Sequence, residues 1–134
     1  MTHEKPKIRV VSAEIKRDGH YLITQRPSHA VLPDLWEFPG GRVRDGESDS
    51  QALSRSLMVR IGCAGRIGEC LMQVEQAYDD YDLVLAVYQV SLENEHPTAG
   101  SVAAIEWVAP EHLSEREFPG ADQQTIDLLL TEAK

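Results

Sequence analysis

Cysteine is scarce in this chain of 134 residues: only Cys63 and Cys70 occur, seven positions apart. With no second pair and no histidine pattern beside them, they exclude a disulfide framework and a cysteine-built zinc module, and read as ordinary thiols. The five histidines, His3, His20, His29, His96 and His112, likewise lack ligand spacing. Long apolar runs are missing too. None approaches the roughly 18 residues that span a bilayer, and Met1-Thr2-His3-Glu4-Lys5-Pro6 has no apolar core of a secretory signal. A cytoplasmic protein without a membrane segment is expected. Positive charge is also in short supply. Thirteen Lys and Arg face 22 Asp and Glu, for a net charge of −9, which excludes a basic surface tracking a long nucleic acid. A small phosphorylated ligand remains compatible, because a few local cations suffice for it. No repeat, linker or low-complexity segment interrupts the chain, and 42% apolar content over this length supplies the core of one domain, residues 1–134, with 1–6 a loose leader.

Near-alternating apolar residues predict a strand over Lys7–Lys16, and Asp18-Gly19 predicts a hairpin turn into a second strand over Tyr21–Gln25. A proline-rich loop follows, then a short strand at Trp36–Phe38. The adjacent glycines Gly40 and Gly41 mark a place where the backbone turns sharply and comes close to something. Ser48, three residues before Gln51, opens a helix as a capping box, and Gly62 ends it. Ala52, Leu53, Leu57 and Ile61 give that helix a buried stripe, while Ser56, Val59 and Arg60 share another face. Ile67–Ala77 and Leu83–Leu92 read as a strand pair around the acidic turn Asp79-Asp80-Tyr81-Asp82. Ala104–Val108 reads as a last strand, and Pro110–Leu113 as one helical turn. Asp122 is placed as the N-cap of a terminal helix carrying Ile126, Leu128, Leu129 and Leu130. This order predicts an α/β (α+β) fold of mixed sheets between two helices.

The segment Gly41–Cys63 resembles the signature of the Nudix hydrolases: Gly, five residues, Glu, seven residues, Arg-Glu-apolar-any-Glu-Glu-any-Gly-apolar. Gly41, Glu47, Arg55, Leu57, Gly62 and Cys63 fall on that frame without a gap. Leu35–Gly41, Trp107-Val108 and Phe118-Pro119-Gly120-Ala121-Asp122 look like the MutT-type branch, which includes hydrolases of oxidised guanine and cytidine triphosphates. The similarity covers about residues 7–130. It implies the Nudix sandwich, and a reaction in which water attacks one phosphoryl group and releases pyrophosphate with the help of magnesium.

The chain departs from the family at three positions. Ser56, Val59 and Arg60 stand where the signature has Glu. Three carboxylates at i, i+3 and i+4 would surround one divalent ion and supply a general base. At about 5 Å and an effective dielectric near 20, each unit charge is worth roughly 6–7 kcal/mol to such an ion. No high-affinity magnesium or manganese site is therefore expected on this helix, and Glu47 is the only box acid left. Glu75, Glu93 and Glu95 with the acidic turn are the weak alternatives. Gly41, Glu47, Arg55, Leu57 and Gly62 keep a structural role, with Glu47 and Arg55 as a pair tying loop to helix. Arg26 and Arg42 flank the glycines, either as solvated surface arginines or, as the resemblance implies, as cations that reach phosphates, and Trp36 or Phe38 stacks on a base or fills the core. Gly40 and Gly41 admit a ligand close to the backbone, and the resemblance implies that Asp122 stands at the position that reads a base edge in MutT-like proteins, beside its role as a cap. The leading expectation is a nucleotide-binding Nudix-fold protein that is weak or inactive as a hydrolase. The alternatives are a working nucleoside triphosphate pyrophosphohydrolase of the 8-oxo-dGTP or CTP type, which needs magnesium or manganese, and a protein-interaction module. A homodimer stays open.

Overall fold

One strand, β1 (Lys7–Arg17), serves two sheets, and the rest of the molecule hangs on it. The computed structural model describes residues 5–29, 34–92, 96–119, 122 and 125–127. Along β1, Val11, Ala13 and Ile15 point to a core shared with the long helix, while Val10 joins Leu85 and Val87 on the opposite face. Burial on both faces is the reason its alternation is imperfect. Ser12 and Glu14 are buried as well.

β1 turns through Asp18 (φ 52°) and Gly19 (φ 79°) into β2 (His20–Gln25), two left-handed residues in succession, as a tight hairpin turn demands. β2 pairs antiparallel with β3 (Trp36–Glu37) and with β7 (Ala104–Val108). On the other side β1 runs parallel to β6 (Asp82–Ser91), from Lys7 opposite Asp82 to Ile15 opposite Val90. β6 pairs antiparallel with β5 (Arg66–Ala77), whose register slips around Cys70. A mixed sheet results, with the helix α1 (Asp49–Ile61) packed on it, and a 3₁₀ turn at Pro110–Glu115.

The glycine pair differs from its expected form. Gly40–Arg42 is a strand, β4, paired antiparallel with Val10–Ser12 of β1, and neither glycine has positive φ. The close approach is real and the sharp turn is not. A Cβ on Gly40 would stand 2.0 Å from the carbonyl oxygen of Val11.

α1 begins as its sequence predicts. Ser48 Oγ accepts the N–H of Gln51 at 3.2 Å, and the Gln51 side chain accepts the N–H of Ser48 at 2.9 Å. Gly62 closes the helix at φ 70°, its N–H donating to the carbonyl of Met58. The carbonyls of Val59, Arg60 and Ile61 then accept N–H groups from Ser101, Gly100 and Thr98, so that a later loop satisfies the helix end. Arg9 grips the first turn of α1 through a fork onto Asp49 (2.8 and 2.7 Å), to which Tyr88 also donates. These bonds hold the Asp49 carboxyl below its usual range and push the Tyr88 phenol up to about 12.

Asp122 departs from its expected place as a cap. It is helical itself, and its N–H donates to the carbonyl of Pro119 at 3.0 Å. Thr125, Ile126 and Asp127 are also helical. Leu128, Leu129 and Leu130 lie outside the described residues. Among the described residues no helix is long and apolar enough to cross a membrane.

Candidate functional site

Two recesses meet at Gly41. The first is a cavity of about 220 Å³ walled by β1, β3, β4, the β5–β6 turn and the segment around Asp122. The second is an open groove of about 490 Å³ between β4 and α1, lined by Arg42, Arg44, Arg55, Ser56, Val59 and Arg60, with Ser101 at its edge. Gly41 lines both. Without a side chain it leaves its backbone open on the cavity side, and on the other it lies against α1. A Cβ there would meet Ser56 Oγ at 2.4 Å.

The cavity brings together Arg26, Phe38, Gly40, Gly41 and Asp122 from the sequence-derived set. Phe38 is a core residue at 2% exposure that packs on Phe118, ring centroids 5.6 Å apart. It forms the cavity wall rather than an open stacking platform. Trp36 is half-buried beneath the guanidinium of Arg116. Arg26 donates to Glu37 at 2.8 Å across β2 and β3. Asp122 is buried, and loss of water together with the charge of Glu37 raises its carboxyl to about 7, against the opposing pull of Arg26.

Four cavity residues escaped the sequence reading. Glu37 was hidden inside a strand, where only the Arg26 pairing across β2 and β3 reveals its role. Tyr78, just before the acidic turn, and Tyr81, within it, stack on each other (centroids 4.9 Å apart) at the cavity edge. Their i, i+3 spacing was the available signal. Ser12 lines the cavity too, and its buried Oγ has no hydrogen-bond partner among the described residues.

The groove has a different character. Arg55 forks onto Glu47, with Nε and Nη2 each 2.8 Å from an oxygen, and also donates to the carbonyl of Arg42. The Arg44 N–H completes the shell of Glu47 at 2.8 Å. Arg55 first, then that backbone donor, lowers the Glu47 carboxyl to about 2. Leu57 points into the core at 0% exposure. The face named by Ser56, Val59 and Arg60 is not uniform: Ser56 is buried at 2% exposure, Val59 stands out at 57%, and Arg60 is half-buried. Ser56 is covered because Gly41 sits directly on it.

Among the described residues, no three His, Cys, Asp or Glu side chains gather as a metal site. A hydroxyl, a branched hydrocarbon and a guanidinium face the groove where carboxylates would be needed, and this donor set does not fit magnesium. Glu75 is exposed on β5, on the strand pair rather than in the groove. Glu93 and Glu95 lie outside the described residues.

Residues 10–128 match the family described as NUDIX domain, and the chain belongs to the Nudix family, in its MutT-like group. It is 33% identical over 123 residues to the CTP pyrophosphohydrolase of Escherichia coli, covering 92% of this chain and 91% of that protein. It is 25% identical over 121 residues to the 8-oxo-dGTP diphosphatase of the same organism, covering 90% and 94%. The MutT protein of Methanosarcina mazei superposes with a TM-score of 0.87 over 99% of both chains; at 22% identity this likeness speaks for the fold alone.

Proposed function

We propose that this protein binds a nucleotide or a nucleoside diphosphate-linked compound as a single cytoplasmic domain, and that it is weak or inactive as a magnesium-dependent pyrophosphohydrolase. The base enters the cavity beside Asp122, and the phosphates cross Gly41 into the groove. A cavity of about 220 Å³ is smaller than the roughly 300–1,000 Å³ of pockets that enclose a drug-sized ligand. It suits one flat ring system, with the remainder of the ligand outside. The buried Asp122 carboxyl and the unpartnered Ser12 Oγ supply polar recognition within apolar walls.

The observation that carries the reading is the α1 face beneath Gly41. Ser56, Val59 and Arg60 offer no carboxylate to ligate a metal or to take the proton of an attacking water. Glu47 does not replace them. Its oxygens are engaged by Arg55 and the Arg44 N–H. The box thus keeps its scaffold residues, Glu47 among them, and lacks its other three acids.

A second reading, a working nucleoside triphosphate pyrophosphohydrolase, is favoured by the activities for which the E. coli relatives are named. It requires acids elsewhere in the chain to recruit the ion. A panel of nucleoside triphosphates and diphosphate-linked nucleotides with magnesium or manganese, read by released phosphate and by thermal shift, separates the readings. A shift without turnover is expected. Turnover selects the second reading. Neither response leaves a protein-interaction module.

A further inference from the structure

The geometry points to the β4–α1 groove as a guanidinium-built phosphate site that takes a polyphosphate chain as the free anion, without a divalent ion. This deepens the nucleotide reading above and rests on it for the identity of the ligand, although the site can be tested without a base.

In a chain of net charge −9, four arginines line this one groove: Arg42, Arg44, Arg55 and Arg60. Among the described residues no carboxylate lines it. Arg55 is committed, to Glu47 and the Arg42 carbonyl. Arg44 adds to the field felt by Glu47 but forms no ion pair with it. The side chains of Arg42 and Arg60 have no ion-pair partner among the described residues. Like charges gathered in this way repel one another, and an anion between them removes that repulsion. Arg60 Nη2 lies 3.6 Å from where a Cβ on Gly41 would stand, so its fork sits at the junction with the cavity. Arg42 and Arg44 come from the opposite wall. A phosphate chain leaving the cavity at Gly41 therefore enters between guanidinium groups on two elements. The fork geometry of arginine matches phosphate oxygens in a way that a point charge does not.

Arg60 also occupies a position where the family signature calls for an acid that would hold the ion. A guanidinium there repels a cation and attracts the same phosphate oxygens that the cation would have neutralised. The substitution exchanges one means of binding phosphate for another. It supplies no base, so binding and hydrolysis become separable.

Inorganic tripolyphosphate in EDTA, titrated into the whole protein by calorimetry, tests the site without a base. Binding is expected in EDTA, weaker at high salt, and weakened again by excess magnesium, which competes for the phosphate charge. Arg42→Gln and Arg60→Gln should each lower affinity by about tenfold or more, the size of a lost charge-assisted bond. Arg17→Gln, distant on β1, should leave it unchanged. Absence of binding in EDTA, strengthening by magnesium, or affinity untouched by both groove variants would each overturn the inference. A parallel titration with a nucleoside triphosphate separates the two proposals. A nucleotide that binds only with magnesium overturns the guanidinium site and leaves the nucleotide reading standing. Tripolyphosphate binding in EDTA with no response to any nucleotide keeps the site and overturns that reading.

Discussion

The two glycines at the centre of the molecule are required by their neighbours, not by their backbone angles. A methyl on Gly40 would meet the Val11 carbonyl oxygen at 2.0 Å, and that backbone is held by pairing to both β4 and β6. At Gly41 the obstacle is the Ser56 hydroxyl at 2.4 Å, with its Cβ at 3.2 Å, a side chain that can be shortened. Gly41→Ala is therefore expected to cost the ~1–3 kcal/mol usual for overpacking, and Gly40→Ala to cost more. Ser56→Ala should recover part of the Gly41→Ala loss. Urea denaturation of the two single variants and the double yields their coupling. An additive pair would show that Gly41 is not held against Ser56.

Among the elements, α1 carries both stability and the three positions at which the family signature has Glu. Its Leu57 is fully buried against β1 and β6 residues, and Leu57→Ala should cost about 2–5 kcal/mol by urea denaturation. The groove face behaves differently. Val59 is 57% exposed and Arg60 lines an open groove, so Val59→Glu with Arg60→Glu should fold nearly as the parent does. Adding Ser56→Glu places a carboxylate beneath Gly41 and should lower stability further. If the scaffold is otherwise competent, magnesium should raise the melting temperature of the triple variant and leave that of the parent unchanged. Equal responses in both would detach metal binding from these positions. The helix was legible because its signals are local: a capping box, a stripe at three- and four-residue steps, and a closing glycine. The hairpins were legible for the same reason. β4 was not, since a glycine pair reads as a turn until its partner is known, and that partner, Val10–Ser12, lies some thirty residues earlier. In the site, the Glu47–Arg55 pair could be inferred from the box frame. The cavity around Asp122 is assembled from five separate stretches, so Glu37 and Ser12 carried no local sign of their role, and Tyr78 and Tyr81 only their i, i+3 spacing.

For the whole molecule, the opposed shifts of its carboxyls set the dependence of stability on pH. Glu47 is lowered from 4.5 to about 2, and Asp49 is lowered from 3.8. Below pH 4.5 the unfolded chain takes up protons at these groups before the folded one does, so stability falls as pH drops from there toward 2. Asp122 acts in the opposite sense. Its carboxyl is raised from 3.8 to about 7, so between those values the folded state holds a proton that the unfolded state has released. Its contribution is complete below pH 3.8 and is lost as pH rises through 7. The net charge of −9 adds self-repulsion in the same direction, because every further ionisation deepens it. The melting temperature is therefore expected to peak near pH 4–5, between these two windows, and to decline toward pH 7. Asp122→Asn keeps the size of the side chain and removes its titration. This variant should flatten the decline between pH 4 and 7 while leaving the acid limb unchanged, since Glu47 and Asp49 are untouched. Melting curves of parent and variant at half-unit pH steps measure both limbs. A parallel decline in the two proteins would mean that Asp122 ionises in the folded state as it does in water, and the neutral carboxyl in the cavity would have to be abandoned.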